Sequence, residues 1–126
     1  MSIIHLVRRR APLLLGVIRL VNGIAAFFAP TDTARRLVVD PAANRAPIYP
    51  LRMFGIRTIV LGMELLFGDP QARRRSLQVG VVIHACDTVS AATAGIRGDL
   101  PPATAAALTG VSAVNTTLSL IGSRSL

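Results

Sequence analysis

Four long apolar stretches alternate with short polar segments along the chain. They cover about residues 11–29, 51–67, 76–94 and 103–121, and each is close to the roughly 20 residues that a helix needs to cross a bilayer. None carries the wide polar stripe that a water-facing helix of a soluble bundle shows. The pattern therefore predicts an all-α fold, a four-helix transmembrane bundle that forms a single integral membrane domain over residues 1–126.

The polar segments between the stretches carry their own structural signals. Gly68-Asp69-Pro70 is a turn signal between the second and third stretches. In the longest connector, Ala34, Leu37 and Val38 have the i, i+3, i+4 spacing of an apolar helix face. We therefore expect a short interfacial helix in the first loop, at about residues 32–39, lying on the membrane surface.

The apolar stretches also contain ionisable and amide side chains. Arg57 and Glu64 lie two helical turns apart, so both point to the same side of their helix, roughly 10 Å apart along its axis. Because an unpaired charge inside a membrane is expensive, the charges should pair, and their depths predict Arg57 with Asp87 and Arg19 with Glu64. The predicted intramembrane polar cluster comprises Arg19, Asn22, Arg57, Glu64, His84, Asp87 and Asn115.

Two interpretations of this cluster stay open from the residues alone. Buried charge pairs can specify the order and register of the helices, which is a structural role. Ionisable residues within spans also mark pockets and proton relays, and here His84 beside Asp87 would be the titrating unit.

Small residues recur at helical spacing in three of the stretches. Glycines seven residues apart in the first and second stretches form strips where another helix backbone can approach closely. The predicted helix-packing residues are Gly16, Gly23, Gly55, Gly62, Ala106 and Gly110.

Composition and charge support a membrane location. Hydrophobic residues make up 52% and charged residues only 16% of the chain, against about 25% charged residues in an ordinary soluble domain. The net charge of +8 does not predict nucleic-acid binding, because aromatic residues are only 4% and the arginine clusters flank apolar stretches. All basic residues are arginines, which fits a GC-rich bacterial genome.

The arginine clusters also predict the orientation. The runs Arg8–Arg10 and Arg73–Arg75 lie beside apolar stretches, as cytoplasmic charges do, and they should contact anionic lipids. We therefore expect a multi-pass protein of the bacterial plasma membrane with cytoplasmic N- and C-termini. Arg19 and Asn22 interrupt the first stretch, so we expect a retained span and not a cleaved signal peptide.

Several catalytic and metal sites are excluded by spacing. His84 and Asp87 share a helix face, but Cys86 points about 200° away from His84, so the three cannot meet one ion. Two ligands alone do not make a zinc site. We find no Ser–His–Asp order, phosphate-binding loop or haem-ligand pair of histidines, and the single cysteine allows no disulfide framework. The sequence predicts no catalysis, no cofactor and no metal.

Residues 52–68 read RMFGIRTIVLGMELLFG, and HACDT follows at residues 84–88. These segments resemble the DoxX-like group of small four-helix bacterial membrane proteins, in which a Gly-x-Arg motif opens the second helix and an Asp lies in the third. The matching positions are Gly55, Arg57, Gly62 and Asp87. The resemblance implies a four-helix bundle without a settled activity, and some relatives are regarded as accessory subunits of larger membrane systems.

Three functions are compatible with these features. The first is a non-catalytic accessory or scaffolding subunit of a larger envelope complex such as a transporter, favoured because four short helices leave little interior for a substrate path. The alternative is a small proton-coupled or small-molecule carrier that acts as a homo-oligomer through Arg57, His84 and Asp87. A membrane enzyme acting on lipid or quinone ranks last. Expected partners are anionic lipids and other integral membrane subunits or further copies of the chain, and no nucleic acid.

Overall fold

The computed structural model describes residues 2–37 and 39–125. These residues contain five helices and no strand, which confirms the predicted all-α class. In chain order the helices are α1 (Ile3–Phe28), α2 (Pro30–Arg36), α3 (Ile48–Phe67), α4 (Pro70–Arg97) and α5 (Pro102–Ser123).

Three of the described helices, α1, α4 and α5, are long and apolar enough to cross a membrane. The 20-residue helix α3 is of similar length, but it carries three charged side chains, Arg52, Arg57 and Glu64. These charges are spread along α3, whereas most of the charges of α1 and α4 are clustered near the N-terminal ends of those helices.

Local sequence signals explain where α4 begins and ends. Asp69 is its N-cap, and the carboxylate of Asp69 accepts a hydrogen bond of 2.7 Å from the backbone N–H of Ala72. Pro70 occupies the first turn, where its missing N–H is not needed. Gly98 ends the helix with a φ of 78°, a left-handed conformation that favours glycine.

The helix bounds differ from the predicted stretches at two N-termini. Helix α1 begins at Ile3 and α4 at Pro70, so both triple-arginine runs lie within helices and not in the segments before them. The structure has α2 at Pro30–Arg36, where an interfacial helix was expected at about residues 32–39, and Val38 lies outside the described residues. Ala34, on the predicted apolar face, is fully buried.

The long helices pack as two pairs. Helix α1 lies along α3, and α4 lies along α5, with less extensive contacts of α1 with α5 and of α3 with α4. At the end of the molecule that holds the N-terminus of α1, all four contribute to an apolar core of Ala11, Leu15, Leu65, Leu77 and Leu118. The Ser125 hydroxyl donates to the backbone oxygen of Arg8 at the same end, over 3.3 Å.

The distribution of side chains is inverted relative to a water-soluble protein. The buried residues include Arg19, His84 and Asn115, whereas large apolar side chains are exposed on every long helix. Examples of these exposed residues are Leu13, Val21, Ile56, Val60, Val82, Val89, Val111 and Val114. Contiguous apolar surface on this scale is typical of a membrane-facing exterior.

Helices α1 and α3 approach each other through glycines. A Cβ atom at Gly23 would lie 2.9 Å from the backbone oxygen of Gly55, and a Cβ atom at Gly55 would lie 2.6 Å from the backbone nitrogen of Phe27. A second pair of glycines lies seven residues away on the two helices. Gly16 faces α3, and Gly62 faces α1. The absence of side chains at these positions is what lets the two backbones touch.

Ala106 and Gly110 do not form such a contact within this chain. Both are exposed, and a Cβ atom at Gly110 would have no heavy atom of the described residues within 4 Å. They line a shallow apolar groove between α4 and α5. The sequence spacing was read as helix contact, but α5 turns a different face, with Asn115, Leu118 and Ser119, toward the other helices.

We expect Gly55→Ala to destabilise the protein by about 1–3 kcal/mol or more, because the added methyl group meets backbone atoms that cannot move aside. Gly110→Ala is the matched control and should leave stability unchanged or slightly raised, since its methyl group enters open space. The measurement is the unfolding midpoint of each purified variant in mild detergent. Equal midpoints for the two variants would contradict the close α1–α3 contact.

Candidate functional site

A buried arginine links the two helix pairs. Arg19 on α1 is only 1% exposed, and its guanidinium reaches across to α4. There Nη1 donates to the Ser76 hydroxyl over 2.9 Å, and Nη2 donates to the Ser76 backbone oxygen over 3.4 Å. The Ser76 hydroxyl in turn donates to the backbone oxygen of Leu61 on α3 over 3.0 Å. One guanidinium and one hydroxyl therefore connect α1, α3 and α4.

Glycines on two helices make room for this side chain. A Cβ atom at Gly80 would overlap Nη2 of Arg19, and a Cβ atom at Gly62 would lie 3.2 Å from the Cβ of Arg19. Sequence reasoning missed Ser76 and Gly80. The signal was present, because Ser76, Gly80 and His84 follow one another at i+4 spacing and form one small, polar stripe on α4.

The hydrogen bonding of Arg19 defines the tautomer of His84. Nη2 of Arg19 lies 3.3 Å from Nε2 of His84, and a guanidinium has only donors, so Nε2 must be the acceptor. The ring proton is then on Nδ1, which faces the Asp87 carboxylate at 3.9 Å. Asp87, His84 and Arg19 thus form a line of polar groups from α4 to α1.

Two predicted ion pairs are not formed among the described residues. Glu64 does not pair with Arg19, because Oε1 of Glu64 accepts from Nη2 of Arg75 over 2.8 Å. Helix α4 begins early enough to place Arg75 beside the end of α3, where its side chain is exposed and can reach Glu64. The prediction used depth along the helices and did not include Arg75.

Arg57 and Asp87 are likewise not within 4.0 Å of each other in the part of the chain that the structure describes. Arg57 is exposed, and its guanidinium carbon lies 6.0 Å from the centre of the Phe54 ring. The buried face of α3 contains Gly55, Thr58, Gly62 and Leu65, and position 57 lies off that face.

A cavity of about 560 Å³ opens on the polar line of Arg19, His84 and Asp87. Its wall combines these groups with apolar side chains such as Phe54, Leu108 and Val111. The polar residues that line it are Arg19, Asn22, Asp32, Thr33, Arg36, Thr58, His84, Asp87, Ser90, Ser112 and Asn115. The sequence did not predict this cavity.

The cavity lies in the half of the molecule that contains α2. Its deepest lining residues along α1, α4 and α5 are Arg19, His84 and Asn115, and the apolar core follows immediately behind them. Toward the other end, Asp32, Thr33 and Arg36 of α2 line the cavity. Helix α4 has no fully buried residue after His84, so the space arises where small side chains replace bulky ones on its inner face.

Buried polar atoms at the inner end have unused hydrogen-bonding capacity. Nε of Arg19, Oδ1 of Asn115 and Oγ of Ser119 make no hydrogen bond to any other described residue. Leaving such an atom without a partner costs about 1–3 kcal/mol, and more for a charged group. Arg19 and Asn115 both line the cavity, so two of these atoms belong to side chains at its inner end.

The predicted polar cluster is thus divided by the structure. Arg19, Asn22, His84, Asp87 and Asn115 surround one cavity, whereas Arg57 and Glu64 are not among its lining residues. In residues 2–37 and 39–125, no group of three His, Cys, Asp or Glu side chains is placed to hold a metal ion.

No protein-family model, curated protein or solved structure matches the chain. Functional inference therefore rests on the geometry and chemistry of the cavity.

We expect Ser76→Ala to destabilise the protein by about 1–3 kcal/mol, because Arg19 would lose the acceptor of its shortest hydrogen bond in a buried position. Ser90→Ala is the matched control, since Ser90 lines the cavity but is exposed, and its effect should stay within about 0.5 kcal/mol. Detergent unfolding midpoints give both values. Similar midpoints for the two variants would show that the Arg19–Ser76 contact does not stabilise the fold.

Proposed function

We propose that this protein is a small carrier of the bacterial plasma membrane that binds a solute in the cavity between its helices. The observation that carries the proposal is the position of a fully buried arginine, with an unused donor, at the inner end of a cavity of about 560 Å³. Ligand pockets commonly have volumes of about 300–1,000 Å³ and combine apolar walls with a few polar groups.

In this proposal α1, α3, α4 and α5 span the membrane as a four-helix bundle. Helix α3 has 20 residues, about 30 Å, which matches the hydrocarbon core of a bilayer. Of its three charges, Glu64 is neutralised by Arg75, and Arg52 lies within the first turns, where a long side chain reaches the interface. Helix α2 then lies at the membrane surface.

The arginine runs support cytoplasmic termini. Arg8–Arg10 and Arg73–Arg75 lie near the N-termini of α1 and α4, and the contact of Ser125 with Arg8 brings the end of α5 to the same side. With that side cytoplasmic, the apolar core closes the cytoplasmic half of the bundle, and the cavity opens toward the opposite side of the membrane. A carrier that alternates access would pass through such a state.

Cysteine accessibility tests the proposal. In a Cys86→Ser background, we expect Ser112→Cys to react with a membrane-impermeant maleimide in liposomes, because Ser112 lines the cavity. Val114→Cys is the matched control on the same helix and should stay unlabelled, since Val114 is 54% exposed on the outer, apolar face.

A panel of small solutes of different charge is then added during labelling of Ser112→Cys. We expect at least one class of solute to slow the reaction, because a bound solute blocks access to the cavity. Equal labelling of both cysteines, or no protection by any solute, would overturn the proposal.

An accessory role, the first expectation from the sequence, remains a second proposal and is supported by Arg57. This cation is exposed in the middle of α3, and an unpaired cation at the centre of a membrane helix costs about 2.5–3.5 kcal/mol or more. An acidic side chain on a helix of another membrane subunit would remove that cost. The resemblance to the DoxX-like group, some of whose relatives are regarded as accessory subunits, points the same way.

Co-purification tests the accessory role. We expect a C-terminally tagged chain, extracted from its native host in mild detergent, to retain a membrane subunit at fixed ratio, and Arg57→Leu to lose that subunit. Arg52→Leu is the control, because Arg52 is also exposed on α3 but lies near its end. Recovery of the chain alone, or only with itself, would contradict an accessory role.

A further inference from the structure

Charge around the cavity is not balanced within the described residues. At the inner end, Arg19 has no carboxylate of those residues within 4.0 Å, because Glu64 is paired with Arg75 and Asp87 contacts His84. At the α2 end, Asp32 is already paired with Arg35 over 3.3 Å, which leaves Arg36 without a counter-charge on α2. The cavity wall therefore carries two cations, Arg19 and Arg36, and two carboxylates, Asp32 and Asp87, of which Asp32 is compensated by Arg35 from outside the wall.

The chemistry of the unpaired donor favours an anion. A guanidinium can only donate hydrogen bonds, and the Nε–H of Arg19 is buried without an acceptor in the part of the chain that the structure describes. Hydrogen bonds from arginine to a carboxylate are among the strongest that a buried site can form. A donor of this kind favours a ligand that carries negative charge.

The rest of the wall indicates an organic ligand. A cavity of about 560 Å³ is much larger than a bare inorganic ion, and Phe54, Leu108 and Val111 give it an apolar side. Such a surface gains little from an inorganic ion but accommodates a hydrocarbon chain or ring.

We propose that the cavity binds a monocarboxylate, with its carboxylate on Arg19 and its apolar part against Phe54, Leu108 and Val111. This inference rests on the proposed carrier function and assigns its substrate class. Arg36 at the α2 end attracts the anion toward the cavity, and Asp87 weakens its binding by repulsion.

The first experiment compares isosteric pairs of probes that differ in charge. The reference protein for this test carries Cys86→Ser and Ser112→Cys in liposomes, and its maleimide labelling is followed with benzoate or butyrate and with benzamide or butyramide. We expect the carboxylates to slow labelling at concentrations roughly 10- to 100-fold below those of the amides, the range expected for a charge-assisted hydrogen bond.

Substitutions that change the charge of the cavity wall in opposite directions provide the second test. In the same reference protein, we expect Asp87→Asn to tighten benzoate binding and Arg36→Gln to weaken it, because each changes the charge of the wall in a different direction. Arg19→Gln should weaken binding most, roughly 10- to 100-fold. If Arg19→Gln does not fold, the opposite signs of the other two variants still decide the matter, since a purely structural role predicts no such reversal.

The outcomes separate the inference from the function on which it rests. Protection by an amide or an amine as strong as that by its carboxylate would overturn the substrate class and leave the carrier proposal intact. Protection by sodium chloride as strong as that by the carboxylates would show an inorganic anion site and would also overturn the substrate class. Protection by laurate but not by butyrate or benzoate would support a carboxylate taken from the bilayer, and the reverse would support one taken from water.

Discussion

The hydrogen bonds between Arg19 and Ser76 are the contact on which the interior of this molecule depends. They cross from one helix pair to the other, and the Ser76 hydroxyl extends them to Leu61 on a third helix. A buried guanidinium is costly unless its donors are used, so Gly62 and Gly80 must stay small and His84 must present an acceptor. The position of one side chain thereby constrains the residues around it.

The same constraint divides the interior into two halves. On one side of Arg19 the helices close over leucine side chains, and on the other side they diverge around a polar cavity. In a soluble protein an interior this polar and an exterior this apolar would not be stable, because the apolar surface would face water. In a membrane the arrangement is favourable, since lipid solvates the outside and Arg19 hydrogen-bonds to Ser76 and His84 inside.

The sequence predicted the helices well and their side-chain partners poorly. The length of a membrane-crossing apolar stretch is set by bilayer thickness, so such stretches can be recognised from the sequence alone. The seven-residue glycine spacing likewise located the contact of α1 with α3. Ion-pair partners depend on how far each helix is rotated and where it begins. The early start of α4 placed Arg75 beside Glu64, and the rotation of α3 placed Arg57 off the buried face of that helix.

The candidate site was predictable only in part, for the same reason. Five of the seven polar residues named from the sequence surround the cavity, because polar side chains in apolar helices tend to point inward. The cavity itself could not be foreseen, since it depends on how residues of α4 from His84 onward meet residues of the four other helices. Ser76 and Gly80 were overlooked because serine and glycine are common in membrane helices.

The glycine contact between α1 and α3 has a mechanical consequence. Backbones in direct contact, without flexible side chains between them, cannot slide or tilt against each other without atomic overlap. We therefore expect α1 and α3 to move together, and any large movement to occur against the pair of α4 and α5. The hydrogen bonds of the Arg19 guanidinium cross the boundary between the two helix pairs, and they can be exchanged for bonds to water or ligand. Movement is therefore expected at the polar contacts around Arg19 and not at the glycine contacts between α1 and α3.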